Sequence, residues 1–575
     1  MLSVNAILIT RVSTALLWIA LLAGCGRDEG AASDSADATT PAARISPAGV
    51  TAADVITGDE IRRVVAEISS DAYGGRLPGS EGDARTRRFL AAELATLGFE
   101  PAGADLSYEQ QMELVGVTTN APATWTFERQ GGAVELARGA DFIAASGLQA
   151  PSAAIENAEV VFAGYGIVAP EYDWNDFKDV DVRGKVLVVL NNDPDWDPTL
   201  FDGVTRLYYG RWMYKYESAA RQGAAGVIIV HTTPSAGYGW QVVQTSWSGP
   251  QYELPAGDEP RSAVEAWVTE DAARRLLGPA HDLDALVAQA KSRDFRPVPL
   301  GITTSLALTN TLTRTPTANV LGVMRGSDPT LADQHVIYTA HHDHLGIGEP
   351  NAAGDTVYNG AMDNASGVGM VLAIGRAFAA LPQRPRRSIM LLFVAAEEQG
   401  LIGSLYYAQH PTVPPGLIAA NINYDSGNIW GETNDITYIG FGRSSLDAVA
   451  LEVANYQGRT VKGDQFPDRG FFYRSDQFSF AKVGVPAFYF DSGTDFVGRP
   501  AGWGTEQIEL YEANHYHQAS DELTPEWTFD GMVQDARFGF HAGLLVANDD
   551  ALPRWSPGNE FEAARRAALE TVDAR

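Results

Sequence analysis

Four apolar stretches rich in β-branched and aromatic residues restrict the fold of this chain more than any other feature. They are VIYTA (336–340), SIMLLFVAA (388–396), IAANINY (418–424) and AFYFD (487–491). Strands with one face in water alternate apolar and polar residues, whereas these runs are typical of strands buried on both faces. The segment GVGMVLAIGRAFAAL (367–381) has a helical pattern. We therefore predict an α/β fold with a mainly parallel central sheet sandwiched by helices.

Histidine and carboxylate side chains follow these strands directly. The residues concerned are His341 and Asp343 after the first strand, Glu397 and Glu398 after the second, Asp425 after the third, and Asp363 at the start of the predicted helix. Taken singly, Asp363 is also a plausible helix N-cap, and the two glutamates are also a plausible solvated loop pair. Their joint placement at the carboxyl ends of buried strands favours a ligand-binding edge of the sheet.

The mixture of residue types at this edge suits metal ions. A single catalytic zinc needs three protein ligands and an open position, whereas a pair of ions sharing one carboxylate needs more ligands of mixed histidine and carboxylate type. The later stretch LYEANHYHQASDEL supplies His515 and His517 as further candidates. The sequence therefore favours a site for two Zn²⁺ ions.

Six short motifs occur in an order and spacing that resemble a known family. They are AHHDHLG, GAMDNASGV, AAEEQGLIGS, INYDSG, YRSDQFSFAKVGVPAF and YHQASDE. The resemblance is to the co-catalytic zinc aminopeptidases, a family that includes aminopeptidase Y, the bacterial leucine aminopeptidases and the glutamate carboxypeptidases. It covers roughly residues 60–545.

The resemblance implies a role for each matching residue. Asp363 matches the carboxylate that bridges both ions. The remaining ligands implied are His341 and Asp425 on one zinc, and Glu398 and His517 on the other. Three catalytic roles are also implied: Glu397 as the general base, Asp343 as the carboxylate that fixes the tautomer of His341, and Tyr516 as a hydrogen-bond donor to the developing oxyanion.

The chain departs from the family pattern at one position. Many relatives have Ser-Asp-His where this chain has Ser475, Asp476 and Gln477, so no role is carried over from that histidine. His342, His344 and His515 match no family role, and we expect each to be a surface residue or a support for the ligands. His515 is the alternative to His517, which we prefer because it matches the pattern Tyr-His-x-x-x-Asp.

Between residues 151 and 300, short β-rich runs interrupt the pattern of buried strands and helices. The runs NAEVVFAGYGIV, GKVLVVLNN and GVIIVHT resemble the protease-associated domain, an α+β module. We therefore predict that this insertion divides the catalytic domain into residues 51–150 and 301–555, followed by a helical tail at 556–575. The resemblance implies that the insertion acts as a lid or controls access of substrate.

The N-terminus resembles the signal sequence of a bacterial lipoprotein. Arg11 precedes a short apolar stretch that ends in LLAGC at Cys25. We predict a signal peptide at residues 1–24, a lipid on Cys25, a flexible tether at 25–50 and a location in the cell envelope, with an ordinary secretory signal as the alternative. Cys25 is the only cysteine, so an intramolecular disulfide and a catalytic cysteine elsewhere are both excluded.

The function predicted from these features is that of a zinc-dependent exopeptidase that hydrolyses the N-terminal bond of peptides. The net charge of -30 argues against binding to nucleic acid. The alternatives are a glutamate-releasing carboxypeptidase, for which Arg469, Arg474 and Arg499 are candidate carboxylate binders, a glutaminyl cyclase with one zinc, and a non-catalytic peptide-binding protein. The complete set of matching residues disfavours the last two.

Overall fold

A computed structural model describes residues 44–247 and 249–573 of the chain. The predicted signal peptide, Cys25 and most of the predicted tether lie outside the described residues. No helix within the described ranges has the length and apolar character needed to cross a membrane.

Fifteen helices of α type occur in these ranges. Their bounds are α1 (Pro47–Ala53), α2 (Gly58–Ile68), α3 (Glu81–Thr96), α4 (Trp212–Arg221), α5 (Thr233–Ala236), α6 (Trp240–Ser246), α7 (Glu270–Leu277), α8 (Leu283–Ala290), α9 (Gly367–Ala380), α10 (Ile402–Gln409), α11 (Leu446–Gln457), α12 (Gln477–Lys482), α13 (Trp503–Asn514), α14 (Asp530–Asn548) and α15 (Glu562–Asp573). The last of these lies within the predicted helical tail.

The strands in the described ranges number twenty-one. They are β1 (Glu100–Pro101), β2 (Glu109–Asn120), β3 (Thr124–Arg129), β4 (Val134–Ala137), β5 (Phe142–Ala145), β6 (Ser152–Phe162), β7 (Val168–Ala169), β8 (Trp174–Asn175), β9 (Val186–Leu190), β10 (Gly226–His231), β11 (Pro250–Glu253), β12 (Val264–Thr269), β13 (Val298–Met324), β14 (His335–His341), β15 (Gly346–Ile347), β16 (Val357–Tyr358), β17 (Ser388–Val394), β18 (Ile418–Asn423), β19 (Asp435–Ile439), β20 (Thr460–Lys462) and β21 (Ala487–Ser492).

The four apolar stretches form the centre of one sheet, as predicted. Strands β17, β14, β18 and β21 lie side by side and all run parallel. The end of β13 adds antiparallel to β17, and β19 adds antiparallel to β21. The prediction of an α/β fold with a mainly parallel sheet is confirmed.

Alternate side chains of each central strand enter different cores. On β17, Leu391 and Phe393 join the core formed with α2, α9 and α14, whereas Met390 and Leu392 face the opposite core with α10 and α12. Both faces are therefore covered by helices, and an uninterrupted apolar run is the pattern that such a strand requires.

The predicted insertion forms a second group of strands that is continuous with the first. Strands β6, β9, β10, β12 and β5 lie in that order. The long strand β13 pairs with β6 at its start, with β2 in its middle and with β17 at its end. Residues 109–145, which we assigned to the catalytic domain, form strands that also pair with those of the insertion. The exact domain limits stay a prediction.

The turn before α9 corrects one alternative from the sequence. Asp363 does not cap this helix, because α9 begins only at Gly367 and Asp363 lies in a distorted turn with φ -108° and ψ 94°. The side chain of Asn364 instead accepts hydrogen bonds from the backbone N–H groups of Gly367 and Ser426, each at 3.0 Å. The Asp363 carboxylate is thereby left free to face the edge of the sheet.

Candidate metal centre

The register of the parallel strands brings the predicted ligands to one edge. His341 pairs with Val394 across β14 and β17, so Glu397 and Glu398 emerge beside it. Asp425 follows β18 on the other side of β14. Three loops that are far apart in sequence therefore converge because their strands are parallel and neighbouring.

The first group of candidate ligands surrounds the His341 ring. Its Nε2 atom lies 3.1 Å from Asp363 Oδ1 and 3.2 Å from Asp425 Oδ1. These three side chains are nearly fully buried, with 1%, 6% and 16% of each exposed. Together they form one set of ligand atoms close enough to hold a metal ion.

The second group shares Asp363 with the first. His517 Nε2 lies 2.9 Å from Glu398 Oε2 and 3.4 Å from Asp363 Oδ2. The two oxygens of Asp363 therefore face different histidines, which is the arrangement that a bridging carboxylate requires. His344 contacts the other oxygen of Glu398, with Nδ1 at 2.5 Å from Oε1, and belongs to a further possible ligand set with Asp363 and Glu398.

The geometry of Asp363 favours a metal rather than a plain ion pair. Asp363 Oδ1 is buried and makes no hydrogen bond, although His341 Nε2 is only 3.1 Å away. Two polar atoms at this short distance without a hydrogen bond between them are expected when both face a third atom, such as a metal ion. The nearby carboxylates also repel one another in a buried site unless a cation is present. The residues present therefore fit a metal ion.

Glu397 lies beside both groups, and with His341 and Glu398 it forms a further set of ligand atoms close enough to hold a metal ion. Its Oε2 atom is 4.0 Å from His341 Nε2, and its side chain is 11% exposed. Burial raises the pKa of Glu397 well above the usual glutamate value, and the charges of Asp425 and Glu398 raise it further. A carboxylate with a raised pKa beside a candidate metal pair is suited to accept and return a proton.

Asp343 supports the glutamate loop, and the structure changes part of its predicted role. Its carboxylate accepts hydrogen bonds from the backbone N–H of Glu397 at 3.0 Å and of Glu398 at 3.4 Å. The Nδ1 atom of His341 contacts the backbone carbonyl oxygen of Asp343 at 3.3 Å, whereas the carboxylate is 3.8 Å away. Asp343 therefore contacts the His341 ring through its backbone carbonyl oxygen. Its carboxylate instead accepts the hydrogen bonds from the backbone of Glu397 and Glu398.

Tyr516 and Arg474 lie together beside Glu397. The Arg474 guanidinium donates to the Tyr516 hydroxyl at 3.2 Å. Burial raises the pKa of Tyr516 well above its usual value, although the Arg474 charge opposes this effect. The hydroxyl therefore stays protonated and can donate a hydrogen bond.

Two supporting residues were missed in the sequence. Asp521 accepts from the backbone N–H groups of Met362 and Asp363, each at 3.0 Å, and so fixes the turn that carries the shared carboxylate. Arg76 is fully buried and donates to the carbonyl oxygens of His342 at 2.9 Å and Asn359 at 2.6 Å. The motif GGRLPGSEG and the aspartate of YHQASDE were visible signals, but neither spacing shows which loop each residue would hold.

The remaining histidines and Gln477 have different surroundings. His342 is buried and its Nε2 atom contacts Asp83 Oδ1 at 3.2 Å, away from the candidate ligands. His515 is exposed and contacts Ser520, so the structure does not bring it to the site. Gln477 is buried and donates to the carbonyl of Phe472 at 2.8 Å. Its position serves packing of the loop before α12 rather than the metal centre.

Two adjoining pockets share Glu397, Arg474 and Tyr516 in their walls. The first pocket, which we call the acidic pocket, has Asp425, Asp491 and Glu512 in its wall. The second, which we call the arginine pocket, has Arg211 of the insertion in its wall. The insertion also reaches a candidate ligand directly, because Ser246 Oγ lies 3.3 Å from His517 Nδ1.

Residues 319–538 match the model of peptidase family M28. Two curated proteins match shorter stretches. Aminopeptidase NAALADL1 of Mus musculus is 34% identical over 116 residues, 19% of this chain and 14% of that protein. A probable zinc metalloprotease of Pyricularia oryzae is 37% identical over 93 residues, 16% of this chain and 17% of that protein. The matching stretches thus span less than a fifth of these relatives.

One solved structure, an aminopeptidase from Aneurinibacillus sp. strain AM-1, shares the fold. It superposes with a TM-score of 0.50 at 16% identity, and the match covers 88% of this chain and 97% of that one. This likeness concerns the fold alone. Over residues 319–538, which contain every predicted ligand and catalytic residue, the chain is therefore similar to peptidase family M28.

Proposed function

We propose that this protein is a zinc metallopeptidase that removes the N-terminal residue from peptides. The observation that carries the proposal is Asp363, whose two oxygens face His341 and His517 while Glu397 lies alongside. The match of residues 319–538 to peptidase family M28 supports the same reaction class.

Two Zn²⁺ ions would be held by the two ligand groups. His341 and Asp425 would bind one ion, Glu398 and His517 the other, and Asp363 both. When bound, zinc polarises the scissile carbonyl and lowers the pKa of the attacking water. His344 would then orient Glu398 by holding its second oxygen, in the manner of the outer partners that tune metal ligands.

Glu397 would move the proton. Its raised pKa lets it take a proton from the attacking water and deliver the same proton to the leaving amine. Asp343 would keep Glu397 in place through the hydrogen bond to its backbone. Tyr516, whose hydroxyl is protonated and next to Arg474, would donate to the carbonyl oxygen as negative charge develops there.

The acidic pocket supports cleavage from the amino end. Asp425 and Asp491 give its wall a negative character that suits a free ammonium group. Burial raises the pKa of Asp491 to about 7, and a bound cation would favour its charged form. A glutamate-releasing carboxypeptidase remains the second candidate, because Arg474 lines the pockets. Arg469 is ion-paired with Glu512, and Arg499 stacks on Trp503.

The test is cleavage of one tripeptide of three different residues, offered unmodified, N-acetylated and C-amidated, followed by mass spectrometry. Loss of the first residue from the free and amidated forms, with the acetylated form spared, is expected. Trimming from the carboxyl end that amidation blocks would favour the carboxypeptidase. Binding without cleavage by the zinc-loaded protein would favour the non-catalytic alternative. A Glu397→Gln preparation controls for contaminating peptidases.

We also propose a location in the cell envelope through a lipid on Cys25. The sequence LLAGC at residues 21–25 supports this proposal. Metabolic labelling with a radioactive fatty acid, compared between the natural chain and a Cys25→Ser variant, tests it. Equal labelling of the two would refute it.

A further inference from the structure

Three polar side chains interrupt the apolar runs of two neighbouring central strands. They are Thr339 on β14 and Asn421 and Asn423 on β18, and each is fully buried. A buried polar group costs stability unless it is hydrogen-bonded, and a pair of apolar side chains of similar shape would pack a core equally well. Their presence in the sheet therefore points to a task other than filling the core.

The three side chains form one hydrogen-bonded network between the strands. Thr339 Oγ1 donates to Asn423 Oδ1 at 2.6 Å and accepts from Asn421 Nδ2 at 3.1 Å. Asn423 Nδ2 donates to Ser475 Oγ at 2.7 Å and to Gln477 Oε1 at 3.1 Å, which ties the loop before α12 to β18. The network thus links β14, β18 and that loop.

The network lies one step along the strands from a pair of candidate ligands. The register of β14 and β18 places Thr339 opposite Asn423. Two residues further along each chain segment come His341 and Asp425, whose Nε2 and Oδ1 atoms are 3.2 Å apart. Side chains two residues apart on a strand leave the same face, so Thr339 and His341 face the same side of the sheet. The spacing of the two strands at this step therefore sets the spacing of the two ligands.

We call the zinc ion assigned to His341 and Asp425 the first ion, and that assigned to Glu398 and His517 the second ion. The ligands of the second ion belong to neither β14 nor β18. Asp363, which both ions share, follows neither strand directly. A change in the spacing of β14 and β18 therefore displaces ligands of the first ion and leaves those of the second in place.

We propose that the hydrogen bond between Thr339 and Asn423 positions the ligands of the first zinc ion and has no such effect on the second. The proposal rests on the proposed function, which assigns the two ions. A hydrogen bond has a narrow range of length and direction, so it holds the ends of β14 and β18 at one separation. Thr339 and Asn423 are positioning residues, because they act through His341 and Asp425.

The test measures zinc affinity for each ion separately, by competition against a chromophoric chelator. His517→Ala removes a ligand of the second ion, and Asp425→Ala removes a ligand of the first, so each background keeps one complete group of ligands. Thr339→Val, which replaces a hydroxyl by a methyl group, is added to both backgrounds. Zinc affinity should fall at least about tenfold in the His517→Ala background, and by less than about twofold in the Asp425→Ala background.

Two variants control for packing. Thr339→Ser keeps the hydroxyl and should keep the affinity of the natural residue. Thr437→Val makes the same substitution on β19, where the Thr437 hydroxyl is buried and makes no hydrogen bond within the described ranges, so zinc affinity should not change. If Thr339→Val does not fold, its combination with Asn423→Leu replaces both partners by apolar groups and should fold with the same loss of affinity.

Several results would overturn the proposal. Unchanged affinity of Thr339→Val in the His517→Ala background would do so, and equal losses in both backgrounds would show a general effect on the fold instead. A double variant that cannot fold would assign the network to the fold alone. In each of these cases, zinc binding and peptide cleavage by the natural chain would leave the proposed function intact.

The reverse failure is also distinguishable. If the natural chain binds two zinc ions and the variants behave as expected, but no peptide is cleaved, the positioning inference stands and the peptidase assignment fails. A natural chain that binds no zinc overturns both.

Discussion

Asp521 gives the sharpest prediction about the metal centre, because it touches no candidate ligand atom. Its two carboxylate oxygens accept separately from the backbone N–H groups of Met362 and Asp363, both at 3.0 Å. The Tyr511 hydroxyl donates to the second oxygen at 3.2 Å. The residue is 2% exposed. We predict that Asp521→Asn weakens zinc binding although every ligand is kept.

The magnitude follows from the number of hydrogen bonds. An asparagine retains one acceptor oxygen and turns an NH₂ group toward the other backbone N–H, so one charge-assisted bond is lost. Such a bond contributes about 1.5–3 kcal/mol. If the free energy that holds Asp363 in its binding position falls by that amount, zinc affinity falls by about 10–100-fold, since each tenfold corresponds to about 1.4 kcal/mol.

The assay is competition for zinc against a chromophoric chelator, with metal-free unfolding followed in parallel. Asp530→Asn is the matched control, because it makes the same charge change at an exposed position at the start of α14. Tyr511→Phe removes only the phenol bond and should have a smaller effect. Zinc affinity of Asp521→Asn within twofold of the natural chain would refute the reasoning.

Four further substitutions test other parts of the protein. Glu397→Gln should keep bound zinc and lose most turnover, whereas Glu398→Ala should lose metal, as measured by elemental analysis and peptide cleavage. Ser246→Ala should lower zinc affinity by about tenfold, since it removes the 3.3 Å contact to His517 Nδ1. His541→Phe should raise stability at acid pH, because burial lowers the folded pKa of His541 to about 4. The unfolded histidine, with a pKa near 6.5, takes up a proton between about pH 6.5 and pH 4 while the folded one does not, so stability falls across that window by up to about 3 kcal/mol.

Each of these has a contrary result. Metal loss in Glu397→Gln, or activity in it, would mean that the two glutamate roles are assigned wrongly. Unchanged zinc affinity in Ser246→Ala would mean that the insertion does not support the ligand. Parallel acid-unfolding curves for the natural chain and His541→Phe would remove the histidine from the acid sensitivity of the fold.

The central sheet and the set of residues at its edge were predictable because both depend on local patterns. Continuous apolar runs such as SIMLLFVAA require burial on both faces, and parallel strands bring their carboxyl ends together. The positions of His341, Glu398 and Asp425 relative to those strands were therefore enough to expect them at one edge. The N-cap interpretation of Asp363 failed because the distorted turn before α9 depends on hydrogen bonds that backbone N–H groups donate to the side chains of Asn364 and Asp521, which are distant from each other in sequence.

The sequence by itself determined the strands, the fold class and the residue types gathered at the sheet edge, since periodicity and order along the chain encode them. Only the tertiary structure decided which atoms meet. It directs the carbonyl of Asp343, rather than its carboxylate, toward His341, and it brings Ser246 and Arg211 from the insertion to the centre. The physical reason is that the Asp343 carboxylate binds a loop that lies 54 residues away, and the contact between Ser246 and His517 joins residues 271 apart, so no local pattern records either contact.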